Sequence, residues 1–209
     1  MNNIFYYIKG CIVSPTKTFK ELLSEPKLNS YAAIYLIVLE VVYTLLMISY
    51  TIAKIKVFYP TFTVIPKEYL HFADIFITAP VTFLGTIMTI ALIYLMSKMF
   101  KGTGSFDNSL AVLMFAIVTP FFLSFTCDVI MFTLILISEH TTGAFHNFMA
   151  VDLNKIMING AYMVVVLVWN IVLMVKAILV IQKIKLWQSI LISIVSAIVF
   201  WLSMVVFLF

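Results

Sequence analysis

The sequence predicts an all-α protein of the polytopic membrane class: a bundle of five transmembrane helices preceded by a short amphipathic helix. Three observations carry this. Of 209 residues, 64% are hydrophobic and only 11% are charged. A soluble domain carries about a quarter charged residues, so this chain has too little polar surface to be wetted and needs lipid as its solvent. Mean hydropathy is +1.14, and the apolar residues fall in runs of the roughly 20 residues that a helix needs to cross a hydrocarbon core.

Residues 1–30 read as a cytoplasmic amphipathic segment. Ser14-Pro15 has the form of a helix start, with Ser at the N-cap and Pro at the first helical position. Beyond it Phe19, Leu22 and Leu23 share one face, while Lys17, Lys20 and Glu21 lie elsewhere. Two placements stay open: a helix lying on the inner leaflet, or a short helix packed under the bundle. Cys11 is expected at the inner face.

Residues 31–209 form the membrane domain. The first span, 31–53, is interrupted only by Glu40. The second, 75–97, is uncharged, and the third, 109–138, carries Asp128. The fourth, 159–182, carries Lys176, and the fifth, 186–209, is uncharged to the end. Pro80 and Pro120 fall inside the second and third spans, where a kink is expected and neighbouring helices can satisfy the freed carbonyls. Between those two spans, Lys101-Gly102-Thr103-Gly104-Ser105-Phe106-Asp107 reads as a tight turn. Gly102 and Gly104 would supply a flexible backbone and Asp107 a cap for the third helix. A phosphate cradle is a weak reading there, since the longer glycine fingerprint and a preceding strand are missing.

Orientation follows from lysine asymmetry. With the N-terminus inside, Lys9, Lys17, Lys20, Lys27, Lys98, Lys101, Lys183 and Lys185 face the cytoplasm. Lys54, Lys56, Lys67 and Lys155 lie outside. An odd number of spans then places the C-terminus outside.

Ionisable groups inside spans cost about 2.5–3.5 kcal/mol on insertion scales and are therefore candidates for function. Glu40 lies roughly 13 Å and Lys176 roughly 9 Å above the inner helix ends at 1.5 Å per residue, close enough in depth for an ion pair if their helices touch. The alternatives are a purely structural pair or Lys176 reaching to the headgroups. Asp128 sits in the outer half, with Asp74 and His71 on the same side; two carboxylates at similar depth can share a proton or hold a cation. Glu139, His140, His146 and Asp152 add outer polar groups, but their spacing matches no defined metal pattern. No metal and no cofactor is expected.

All 13 basic residues are Lys, so a bidentate guanidinium clamp is excluded. The net charge of +4 suits an anionic leaflet better than nucleic acid. The two cysteines, Cys11 and Cys127, form no zinc or redox motif. No nucleophile, base and acid set is visible, so no enzymatic activity is expected.

The order of these elements resembles the Yip-one family of membrane proteins, the Ypt/Rab-interacting proteins and their prokaryotic relatives. The residues that carry the resemblance are Ser14-Pro15-Thr16-Lys17-Thr18-Phe19 with Leu22, Leu23 and Pro26, then Lys101-Gly102-Thr103-Gly104-Ser105-Phe106 with Leu110 and Ala116 to Pro120, and Trp169 in the fourth span. The resemblance implies five spans, a cytoplasmic N-terminus and no catalytic centre. In eukaryotic members it implies a tie to Rab GTPases and vesicle traffic. This chain is expected to lack their long N-terminal region and acidic-aromatic motif, and Phe115 stands where Tyr is common. A prokaryotic relative in the cytoplasmic membrane is therefore the expectation.

The function so indicated is a non-enzymatic membrane protein that organises the membrane or binds partners: lipids, other proteins or further copies of itself. The competing reading is a small transporter, channel or lipid-moving protein using Glu40, Asp128 and Lys176.

Overall fold

A computed structural model describes residues 2–54, 66, 69–140 and 152–208. Among these the chain is wholly helical: α1 (Asn2–Val13), α2 (Pro15–Leu22), α3 (Leu28–Ile52), α4 (Leu70–Met99), α5 (Phe106–His140), α6 (Asp152–Gln182) and α7 (Leu186–Leu208). Among the described residues four stretches are long and apolar enough to cross a membrane: Leu28–Ile52, Leu70–Met99, Phe106–Leu134 and Gly160–Gln182. A shorter apolar stretch covers Leu186–Leu202 of α7. The first four long helices begin before the predicted spans, and α4 begins early enough to carry His71 and Asp74.

The long helices close into a ring in the order α3, α4, α7, α6, α5, with α4 also touching α5. The buried faces of α4 and α7 are rich in small residues, among them Gly85, Thr86, Ser193 and Ser196. In lipid, where burial of apolar area gives little drive, such residues let helix backbones approach closely.

α5 is the central helix. In its most apolar window 61% of residues are buried, against 22–39% in the other three spans. Every residue from 111 to 120 is buried. Pro120 cannot donate to the helix, and the carbonyls before it lose regular partners. Asn170 of α6 answers locally, donating from Nδ2 to the Ile117 carbonyl at 3.2 Å.

The N-terminal segment is two helices where one was expected, and of the two placements left open it takes the packed one: α1 lies against α5, and α2 against α6. Cys11, Phe19 and Leu22 are fully buried. The Cys11 thiol sits beside Thr119 and Tyr35. Thr119 lies thirteen residues into α5, ~20 Å along its axis, so Cys11 is inside the bundle and not at its surface. Two hydrogen bonds brace the pair of helices: the Tyr6 hydroxyl donates to Glu21 at 3.0 Å and the Tyr7 hydroxyl to Glu25 at 2.9 Å. At their crossing, a Cβ on Gly10 would land on the Thr18 side chain. Ser14 occupies the N-cap position of α2, but its side chain makes no capping bond. Instead the Thr18 hydroxyl donates to the Ser14 carbonyl.

Among the described residues three non-glycine residues have positive φ, and each is a lysine just beyond a helix end: Lys54 (51°), Lys101 (62°) and Lys183 (54°). After α4 the Lys101 amide bonds the Lys98 carbonyl and the Gly102 amide the Ser97 carbonyl, the paired bonding of a Schellman motif. The cation sits favourably at the negative end of the helix dipole, which offsets part of the strain of the left-handed backbone.

Candidate functional site

The polar groups predicted inside the membrane fall into three separate places: a cluster around Asp128, then Glu40, and Lys176 apart from both. The first is an aromatic-lined cluster toward the expected outer end. Tyr43 and Tyr50, seven residues apart, share a face of α3. Tyr162 on α6 donates to Asp128 Oδ1 at 3.4 Å, and the Tyr43 hydroxyl also faces that carboxyl. Tyr50 donates to the Asp128 backbone carbonyl at 3.1 Å. A buried carboxyl needs such donors to offset its lost hydration.

Tyr50 also links this carboxyl to the second predicted pair. Its ring meets that of His71 edge-on, centroids 5.0 Å apart. His71 and Asp74 are 6% and 7% exposed, and His71 Nδ1 lies 4.0 Å from Asp74 Oδ2. That is too long for a hydrogen bond, and neither ring nitrogen has a partner. Asp128, His71 and Asp74 therefore share one neighbourhood, joined by a tyrosine. Among the described residues no three His, Cys, Asp or Glu side chains converge as a metal-ligand set. Positions 139, 140, 146 and 152, which add outer polar groups in sequence, lie outside the residues whose side chains are described.

The second place is Glu40. It stands twelve residues from either end of α3 (Leu28–Ile52), hence ~18 Å from each, deeper than the sequence expectation because the helix starts three residues earlier. It lines a groove of about 490 Å³ with Leu36, Val41, Thr44, Ala79, Pro80 and Phe83. Glu40 Oε1 is enclosed and has no hydrogen-bond partner. Lys176 lies six residues from the end of α6 at Gln182, ~9 Å deep. Among the described residues no ion pair joins it to Glu40. The physical reasons are the difference in depth and the placement of α5 between α3 and α6.

The turn between α4 and α5 is a structural latch. The Gly102 amide bonds the Ser97 carbonyl, the Thr103 amide the Gln182 carbonyl, and the Gly104 amide Gln182 Oε1. Lys98 Nζ donates to the carbonyls of Gly102 and Gly104 at 3.0 and 2.9 Å. These amides are already bonded within the protein, so they do not form an open phosphate cradle. Gly102 and Gly104 are needed for close approach, not flexibility: a Cβ at 104 would lie 2.6 Å from Ile181 Cγ2 and 2.8 Å from the Ile181 carbonyl. Asp107 lies in the first turn of α5, but the side chain that caps this turn is Ser105, accepting from the Asn108 amide at 3.2 Å.

Residues that sequence reading missed are Tyr43, Tyr50, Tyr162 and Gln182. The seven-residue spacing of Tyr43 and Tyr50 was a usable signal, since it puts both on one helical face. Gln182 gave none, because a lone amide at a helix end looks like surface.

In comparison with known proteins, the Yip1 domain family model matches residues 9–208. No curated protein and no solved structure matches the chain.

Proposed function

The chain belongs to the Yip1 domain family, and from that premise we propose that it is a non-enzymatic integral membrane protein that organises the bilayer or binds protein and lipid partners. The proposal includes five spans, with α7 as the fifth, a cytoplasmic N-terminus and an external C-terminus. The Lys-rich composition without Arg favours a prokaryotic cytoplasmic membrane. The observation that supports a binding role over a conducting one is the continuous burial within the first half of α5. Residues 111–120 of α5 are buried throughout, with α1 and α2 packed over α5 and α6. A path through one copy would have to displace that packing, and interiors packed to this degree resist rearrangement.

The proposal is tested by photo-crosslinking from reconstituted protein together with flux assays in sealed liposomes. Reproducible protein or lipid partners without movement of ions, small solutes or labelled lipid are expected. Robust flux with no captured partner overturns the proposal.

The second reading, a small transporter, channel or lipid-moving protein, draws support from the unpartnered Glu40 Oε1 and His71 nitrogens. It requires flux that Asp128→Asn, or substitution of Glu40 or Lys176, reduces.

A further inference from the structure

Glu40 is the polar group in the span region whose surroundings least explain it. It stands at the middle of α3 in a groove whose other lining, apart from Thr44, is apolar. The rim opens outward: Ile37 is 59%, Val41 52%, Leu45 56% and Phe83 48% exposed. Polar groups in such a position cost several kcal/mol unless they find a partner.

Depth decides which partner fits. Glu40 is ~18 Å from either helix end, while half the hydrocarbon core is ~15 Å. A phospholipid headgroup therefore does not reach it, and acyl chains carry no hydrogen-bonding atom. A second copy of the chain does meet the requirement. Two copies with the same topology, related by a twofold axis along the membrane normal, bring identical residues to identical depth. A carboxylic acid both donates and accepts a hydrogen bond, so two Glu40 side chains can bond each other through the other carboxyl oxygen, Oε1 being enclosed within its own chain. Polar side chains join helices in lipid in this way.

We infer that the α3–α4 groove is the interface of a homodimer in which Glu40 of one copy pairs with the same residue of the other. The exposed stripe of Ile34, Ile37, Val38, Val41 and Leu45 on α3 packs across it. This deepens the partner-binding reading by naming one partner, a second copy.

The test uses the full chain in liposomes at graded protein-to-lipid ratios, with dimer fraction read by single-molecule photobleaching. Wild type dimerises. Glu40→Leu, which removes an unpaired polar group from lipid and so should fold, raises the dissociation constant about threefold to thirtyfold, the range of interhelical hydrogen bonds in membranes. Glu40→Gln, whose amide also donates and accepts, retains most of the affinity. In a background with Cys11→Ala and Cys127→Ala, oxidation of Val41→Cys gives a covalent dimer, and Val165→Cys on α6 does not. A wild type that stays monomeric at every density overturns the inference, as does a dimer that Glu40→Leu leaves unchanged or that crosslinks equally through position 165. If self-association fails while other partners are still captured, this inference falls and the broader reading stands.

Discussion

Gln182, the last residue of α6, holds Gly104 of a turn 78 residues away: its Oε1 accepts from the Gly104 amide at 3.1 Å while its Nε2 donates to Ser109 at 2.8 Å. One amide side chain thus fixes the turn between α4 and α5 to the end of α6. Gln182→Leu leaves the Gly104 amide unsatisfied and removes the bond that Ser109 accepts, while Ser109 still donates to the Ser105 carbonyl; it should cost about 1–3 kcal/mol. Gly104→Ala should do comparable damage, because its Cβ meets the Ile181 backbone. Thermal unfolding in detergent checks both; a melting temperature equal to wild type for either variant rules the latch out.

Lys101 stands at φ 62° after α4, a backbone that costs an L-residue roughly 1 kcal/mol and glycine almost nothing. Lys101→Gly should therefore stabilise the protein by about that amount. The same melting experiment reads it, and Lys98→Gly, inside the helix, should move the other way.

In the aromatic cluster, Tyr162 and Asp128 should be energetically coupled. A double-mutant cycle with Tyr162→Phe and Asp128→Asn is expected to give an interaction energy of about 0.5–2 kcal/mol. Independent, additive effects would mean that their 3.4 Å contact contributes nothing.

Cys11 is buried under the α1–α2 crossing while Cys127 is partly exposed. In a Cys127→Ser background, a membrane-permeant maleimide should label Cys11 slowly. Gly10→Val, which drives a side chain into Thr18, should lift the crossing and speed labelling at least several-fold. Rapid labelling in the parent would show that α1 does not rest in the bundle.

Tyr7 supplies a pH dependence outside the spans. Burial, then its hydrogen bond to Glu25, pushes the phenol from its usual 10 up to about 12. A raised value means that folding favours the protonated form. Its contribution is fully present below pH 10 and is lost as pH rises through about 12. Between those values wild type should lose more stability than Tyr7→Phe, and the gap between their melting curves should narrow. Parallel curves would remove the Tyr7–Glu25 bond from the account.

Much of this architecture was legible in the residues. The apolar runs from 31, 75, 109, 159 and 186 each appear as a helix, and α2 begins at Pro15 as its sequence predicts, although Ser14 makes no side-chain capping bond. The candidate site was less legible. Asp128, His71 and Asp74 were singled out as costly intramembrane groups, but the tyrosine between them was not, because nothing local distinguishes Tyr50 from other aromatic residues of the spans. The depth of Glu40 was underestimated by three residues of helix. That error, and the illegible placement of α5 between α3 and α6, made an ion pair with Lys176 look reachable.

What the sequence determined by itself is the solvent and the secondary structure. A chain with this hydropathy must lie in lipid, and in lipid every backbone group must be bonded within its own helix. What only the tertiary structure decided is which helix faces which. It set α1 and α2 against α5 and α6, it brought Tyr50 between Asp128 and His71, it put α5 between Glu40 and Lys176, and it closed the glycine turn on Gln182. Those neighbours depend on small residues and shape matched across distant segments, for which no run of adjacent residues carries a signature.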